Sequence, residues 1–148
     1  MDKPQYAGWD DVAVGVPSPP VQFTLTAEVV EKYVQAAEDF NPVYLDERAA
    51  RAEGWDARIA PPTAATIWVI HAAQATLGLR ATTPGRIHAK QSYEFHRPAR
   101  IGDTLTTVIT TVDKYIRRER RYSINESVTT NQDGELVVIG RMTVIWPF

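Results

Sequence analysis

Four segments in the second half of the chain carry the same signature: HAKQSYEFHRP (88–98), TLTTVITTVDKYI (104–116), RRYSINESVTT (120–130) and ELVVIGRMTVIW (135–146). Each is rich in Val, Ile, Thr and Tyr and partly alternates apolar with polar positions, which predicts strands. Asp133-Gly134 is a two-residue hairpin signal and Gly102-Asp103 marks another turn. The first half reads differently. GVPSPPVQ (15–22), with its three prolines, is an extended lead-in. In FTLTAEVVEKYVQAAEDF, Thr26 is placed as an N-cap, with Glu28 in the first turn and Leu25 and Val30 spaced as a hydrophobic staple. Val29, Tyr33, Ala36 and Phe40 fall on one helical face. This helix is expected to end near Asp39, because Pro42 disfavours helix at Asn41. A short helix is expected at DERAARAEG (46–54). Pro61-Pro62 then opens a second long helix, about 63–78, ending at Gly78.

In ATIWVIHAAQATL (65–77) the apolar residues lie nearly all round the helix. Such a helix must be covered on most sides. The four strands can cover it, so the expected fold is α+β: an antiparallel sheet wrapped around a long central helix, the hot-dog arrangement. At 148 residues, without repeats or a long linker, the chain is expected to be one domain over residues 1–148.

The net charge of −2 offers no general basic surface for nucleic acid. Without cysteine the chain has no disulfide, thiolate metal site or Cys nucleophile. The polar, acidic opening MDKPQYAGWDD does not read as a signal peptide, and IWVIHAAQATLGL is too short and too interrupted to span a bilayer. A soluble cytoplasmic protein is expected. His71, His88 and His96 are not at metal-ligand spacing, so no metal is expected. His71 reads as a partly buried, hydrogen-bonded residue of the long helix, His96 as structural, and Trp55, Trp68 and Trp146 as core or interface residues.

D-x-N-P-x-x-x-D over 39–46, I-A-P-P over 59–62 and Y-E-F-H-R-P-A-R-I-G-D-T-L over 93–105 together resemble the MaoC-type dehydratases, also called R-specific enoyl-thioester hydratases. The likeness is strongest to their N-terminal, FAS1-like dehydratase branch. It implies reversible addition of water to a trans-2-enoyl thioester. That chemistry needs a carboxylate/imidazole pair to move a proton between water and the α carbon, and a backbone N–H to hold charge on the thioester carbonyl. In the family the pair is the Asp of D-x-N-P and a His five residues on, and the donor is a Gly in A-H-G at the mouth of the buried helix.

By this resemblance Asp39 is the carboxylate, and Asn41 and Pro42 build its turn. The His position holds Tyr44, and A-H-G reads Ala60-Pro61-Pro62. A phenol, with a pKa near about 10, is a poor base at neutral pH but can donate a proton. Pro62 has no N–H to give. Thr63 has one, in register only if the chain is shifted by a residue. Asp39 and Tyr44 are thus the candidate catalytic residues, and Asn41, Pro62, Thr63 and Trp68 the candidate substrate-binding residues. Arg117, Arg118, Arg120 and Arg121, around a hairpin bend, are either a solvated loop or a patch for the phosphates of coenzyme A or the acidic face of an acyl carrier protein. No cofactor is implied beyond the thioester carrier, coenzyme A or phosphopantetheine.

Three readings follow. The chain is a subunit of an R-specific hydratase or 3-hydroxyacyl-thioester dehydratase, in a heterodimer or heterotetramer with a separate MaoC-like subunit that brings the Asp/His pair. Alternatively it is a self-sufficient homodimer using Asp39 and Tyr44. The third reading is a non-catalytic acyl-thioester binding protein.

Overall fold

The computed structural model describes residues 8–76 and 84–147. The alternating segments form β2 (Ile87–Phe95), β3 (Thr104–Arg117), β4 (Arg120–Thr130) and β5 (Leu136–Trp146). The proline-rich lead-in adds a strand that the pattern did not announce, β1 (Val21–Thr24), antiparallel to β3. One antiparallel sheet results, in the order β1-β3-β4-β5-β2. On its inner face every second residue is buried, among them Leu105, Thr107, Ile109 and Thr111 on β3 and Ser123, Asn125, Ser127 and Thr129 on β4. Half of that face is polar, and neighbouring strands satisfy it: Thr107 and Thr129 share a hydrogen bond of 2.9 Å, Thr111 donates to Asn125 at 2.7 Å, and Trp146 donates to Ser123 at 2.8 Å.

Helix α1 (Ala27–Ala37) is capped by Thr26, whose side chain accepts from the Val29 N–H. It ends earlier than expected, at Ala37, because Glu38 takes the left-handed conformation (φ 54°). Val29 and Tyr33 of the expected face pack half-buried against the core, but the fully buried positions lie one residue on. Val30 and Val34 are in the core, whereas Ala36 is exposed and Phe40 is 60% exposed, beyond the helix end. Two short helices follow, α2 (Pro42–Leu45) and α3 (Glu47–Ala52).

The central helix begins with a 3-10 turn, Pro62–Ala64, and continues as α4 (Ala65–Thr76); the expected stop at Gly78 lies outside the described residues. α4 rests on β3 and β1 through Ala65, Trp68, Val69, Ala72 and Ala73. It is not covered all round. Thr66, His71 and Gln74 are exposed, so the side away from the sheet is open. His71 is therefore a surface residue, meeting the ring of Phe23 edge-on at 5.5 Å between centroids. The hot-dog arrangement stands, with a helix covered by its own chain on one side.

One turn differs from expectation. β4 and β5 are joined by the five residues Asn131 to Glu135, organised by Asn131, whose Oδ1 accepts from the N–H of Asp133 and Glu135. The hairpin bend expected among the arginines is present as a two-residue turn, Arg118-Glu119, both left-handed (φ 48° and 62°), without the Gly or Asn that such turns favour. Among the described residues no helix is long and apolar enough to cross a membrane.

Gly140 on β5 leaves space that the sheet uses: a Cβ there would lie 2.6 Å from Ser127 Oγ and 3.0 Å from the Tyr93 ring. Gly140→Ala is expected to cost about 1–3 kcal/mol of unfolding free energy in urea titrations. Adding Ser127→Ala should restore part of the loss, because it removes the closer contact and leaves the ring.

Candidate active site

The D-x-N-P segment is built by side-chain capping. The left-handed Glu38 turns the chain out of α1 so that Asp39 and Asn41 stand at the surface. Asn41 caps α2 by accepting from the Val43 N–H at 3.2 Å, with Pro42 at the first helical position. Asp46 closes α2 with its N–H and caps α3 with its carboxylate, which accepts from Ala49 at 2.8 Å. This rigid bend drives Tyr44 inward. The ring is 9% exposed and joins the core cluster that holds Val34, Ile59, Ala60 and Trp68. Burial, and secondarily the Asp39 carboxylate nearby, push its phenol above the usual range. Tyr44 is therefore protonated at neutral pH. It can donate a proton or hydrogen bond but cannot serve as a base.

Opposite this turn the segment 58–62 is held to the RPARIGD loop. Ala60 N–H donates to Ala99 at 2.8 Å and Ile101 N–H to Arg58 at 2.9 Å. The anchoring aims Pro61 and Pro62 at the start of the central helix. Neither proline has an N–H, so the first backbone donor of the helix mouth belongs to Thr63. Thr63 is exposed, and its Oγ1 accepts from Tyr33 Oη at 2.9 Å.

Two cavities meet here. One, of about 690 Å³, lies along the turn and is lined by Asn41, Pro42, Tyr44, Trp55 and Ile59. The other, of about 310 Å³, is mostly apolar and is lined by Trp55, Ile59, Pro62, Trp68, Phe95 and Val138. Trp55 and Ile59 belong to both walls. Trp68, 2% exposed, lies against the apolar cavity, and its indole Nε1 is the one buried side-chain nitrogen or oxygen without a partner among the described residues. An unpaired buried donor costs about 1–3 kcal/mol.

The structure thus brings Asn41, Tyr44, Pro62 and Trp68 to two adjoining cavities, with Asp39 close to Tyr44 and Thr63 beside the mouth. It does not bring the arginines there. The apolar cavity lies where β2 ends and β5 begins, whereas Arg117, Arg118 and Arg120 cluster at the far tip of the β3–β4 hairpin. Arg121, at that same end, lies 3.7 Å from Asp10 and over the Trp9 ring. The cation at the cavity wall is Arg97, paired with Glu135 at 2.8 Å. Trp55 is half-exposed rather than core, and its role as a shared wall was not visible in the sequence. Nor was a set of hydroxyls beside Thr63. Thr66 and Tyr93 are 3.0 Å apart, and Tyr93 is pushed upward in pKa by burial and, to a lesser extent, by nearby Tyr33. The helical spacing of Thr63 and Thr66 was the one available signal.

A family model described as the FAS1-like dehydratase domain region matches residues 12–139. A UPF0336 protein of Saccharopolyspora erythraea is 29% identical over 142 residues, covering 92% of this chain and 90% of its own. An (R)-specific enoyl-CoA hydratase of Rhodospirillum rubrum is 28% identical over 124 residues, covering 84% of this chain and 81% of its own. Among solved structures, the C-terminally truncated HadBC (3R-hydroxyacyl-ACP dehydratase) complex from Mycobacterium tuberculosis matches with a TM-score of 0.79 and 26% identity, over 89% of this chain and 96% of that one. The matched region spans the capped turn, the helix mouth and most of the sheet, and on that ground the chain belongs to the FAS1-like dehydratase family, within the MaoC-type hydratases and dehydratases of hot-dog fold.

Proposed function

We propose that this chain is the thioester-binding subunit of an R-specific enoyl-thioester hydratase or 3-hydroxyacyl-thioester dehydratase, acting beside a second hot-dog subunit that carries the Asp/His pair. The observation that carries the reading is the helix mouth. Hydration puts the water oxygen on C3 and a proton on C2, and negative charge passes through the thioester carbonyl on the way. An N–H at the mouth would hold that charge, and Pro61-Pro62 provides none. Tyr44, buried and protonated, occupies the place of the imidazole without its basicity. What remains is an apolar cavity suited to an acyl group and a rigid turn that shapes its approach. The thioester is carried on coenzyme A or on an acyl carrier protein, and no further cofactor is required.

The sheet supports such an assembly. β2 is the outermost strand beyond β5, with most of its residues exposed, and among the described residues no strand pairs with its outer edge, which suits pairing with another chain. A second hot-dog subunit joined there would extend the sheet and bring its own helix near the open side of α4. A chain of the HadBC complex is among the structures this chain resembles, which is compatible with a heteromer.

One observation favours a second reading. Asp39 lies close enough to Tyr44 to raise the phenol's pKa. A self-sufficient homodimer could use Asp39 as base and Tyr44 as proton donor.

The test is an enoyl-CoA hydration assay on the purified chain alone, and again with a hot-dog subunit that carries Asp/His and A-H-G. Activity is expected only in the mixture, at least roughly a hundredfold above either chain alone, and Asp39→Asn in this chain should leave it within a few-fold. Activity of the chain alone that disappears in Asp39→Asn would overturn the partner reading in favour of the second. Saturable thioester binding with no activity in either mixture would leave a binding protein.

Tyr44 gives a pH prediction. Its folded pKa is raised, so its stability contribution is complete below the unfolded value, near about 10, and is lost as the pH rises through the folded value. Stability should therefore fall more steeply above about pH 10 in the wild type than in Tyr44→Phe. Phenolate absorbance should show a late-titrating tyrosine in the wild type that is missing from the variant.

A further inference from the structure

The β3–β4 hairpin departs from the usual construction of its kind, and always toward positive charge. Arg117 and Arg120 are direct cross-strand partners, a like-charge pair that destabilises a hairpin. Arg118 and Glu119 between them hold left-handed conformations that Asn or Gly would take at lower cost. Five of the chain's 16 lysines and arginines fall within residues 114–121, with one acid among them. Lys114 and Arg121 are engaged, over the Trp9 ring and beside Asp10. Among the described residues, Arg117, Arg118 and Arg120 have no carboxylate within ion-pair distance. The support beneath them is braced, by the stacked rings of Tyr115 and Tyr122 at 4.8 Å and by Trp9, which donates to the Tyr122 carbonyl at 2.9 Å. Uncompensated charge on a braced support suits an anionic partner. The tip projects beyond Trp146, which pairs with Arg121 at the end of β5. A projecting turn is convex, whereas a nucleotide needs a concave site, so the anion that fits is a carboxylate-bearing protein surface.

Within its own chain the tip stands at the wrong end for substrate delivery. Val138, at the apolar cavity, is level with Thr107, and about 30 Å of strand separates that level from Arg117. Assembly changes this. β2 runs from the tip end, where Ile87 faces Ile145, to the cavity end at Phe95. Two hot-dog subunits joined along β2, with both helices on one side of the combined sheet, are related by a two-fold axis normal to that sheet. The two β2 strands then pair antiparallel. Each hairpin tip comes to the end of the combined sheet where the other subunit has its helix mouth.

We propose that Arg117, Arg118 and Arg120 form a docking surface for the acidic face of an acyl carrier protein, which there delivers its thioester to the site of the partner subunit. The proposal rests on the two-subunit reading given above and adds to it the carrier and the place where it binds. It also gives this chain a part in the reaction that needs neither a base nor an amide at its own helix mouth. The catalytic pair stands on one subunit and the carrier's seat on the other.

The test is steady-state hydration by the assembled protein, this chain with its catalytic hot-dog partner. One enoyl group is presented on a free-standing acyl carrier protein, on coenzyme A and on pantetheine alone. The triple variant Arg117→Gln, Arg118→Asn, Arg120→Gln removes the charge and gives the turn a residue suited to left-handed backbone. With the carrier-protein substrate its KM should rise at least roughly tenfold over the wild type, while kcat changes by less than about twofold. Its KM for the pantetheine substrate should shift by less than about twofold, because that substrate has neither protein nor phosphate to dock. Added salt should raise the wild-type KM for the carrier-protein substrate and move that of the variant far less. Arg120→Gln alone, outside the turn, should shift KM in the same direction by less, and it carries the test if the triple variant does not fold. An unchanged KM for the carrier-protein substrate overturns the proposal, as does an equal loss on all three substrates, which marks a structural role. A loss on coenzyme A as large as on the carrier protein assigns the arginines to phosphates and overturns protein docking. Each of these outcomes leaves the thioester reading standing. Failure of the assembled wild type to hydrate any of the three overturns that reading, and this proposal with it.

Discussion

The buried carboxylate of Asp103 is the constraint on which the rest of this structure is arranged. Only 4% exposed, it accepts from the Arg100 N–H at 2.8 Å and from Gln132 at 3.1 Å, with the Arg100 guanidinium at 3.7 Å. A charge taken out of water needs such partners, and here the partners belong to the start of β3 and to the β4–β5 loop. The backbone beside it completes a knot. Leu25 N–H donates to Asp103 and Gly102 N–H returns a bond to Leu25, which places Thr26 at the head of α1. Gly102 makes that return with a φ of 98°, which a side chain would resist. The same loop receives Ala60 and so directs the helix mouth. The loop that this side chain braces thereby ties together α1, the sheet and the prolines that open the central helix.

From that knot the site follows by packing. α1 leads to the left-handed Glu38, and successive side-chain caps at Asn41 and Asp46 fold the chain back tightly enough to bury Tyr44 against Ile59 and Ala60. Tyr44 is thus a component of the core, and its burial keeps it protonated. Pro61 and Pro62 contribute in the opposite way, by what they lack. Their fixed φ suits the entry to a helix, but neither has an N–H, so the first backbone donor of the mouth belongs to Thr63. Both features follow from residue type: a buried phenol that stays protonated and a helix mouth whose two prolines offer no amide. The adjoining cavities share Trp55 and Ile59 as a common wall.

Polar groups on the inner face of the sheet make a related point. Thr107, Thr111, Asn125 and Thr129 are buried beneath or beside an alanine-rich helix, yet each finds its hydrogen bond within the sheet. Satisfied pairs of this kind fix strand register, since a slip would leave them unpaired. Among the described residues Trp68 is the exception, and its unpaired N–H belongs to a side chain that lines the apolar cavity.

Local patterns were enough for the strands β2 to β5, the capped start of α1, the short helix after Asp46 and the existence of a buried helix, because period, caps and prolines act over a few residues. The D-x-N-P turn and the altered Tyr44 and Pro62 were legible for the same reason: their chemistry is written in residue type. The covering of α4 on one side only, the exposure of Phe40 and His71, and the distance between the hairpin arginines and the cavity depend on where remote segments come to rest. So do the lead-in strand β1, which needed β3 as a neighbour, and the five-residue loop that Asn131 organises where Asp133-Gly134 suggested a tight turn. Trp55 as a common wall and Trp68 as a lining residue of the apolar cavity were decided only by tertiary structure. A cavity is the space between elements, and no single element specifies its boundaries.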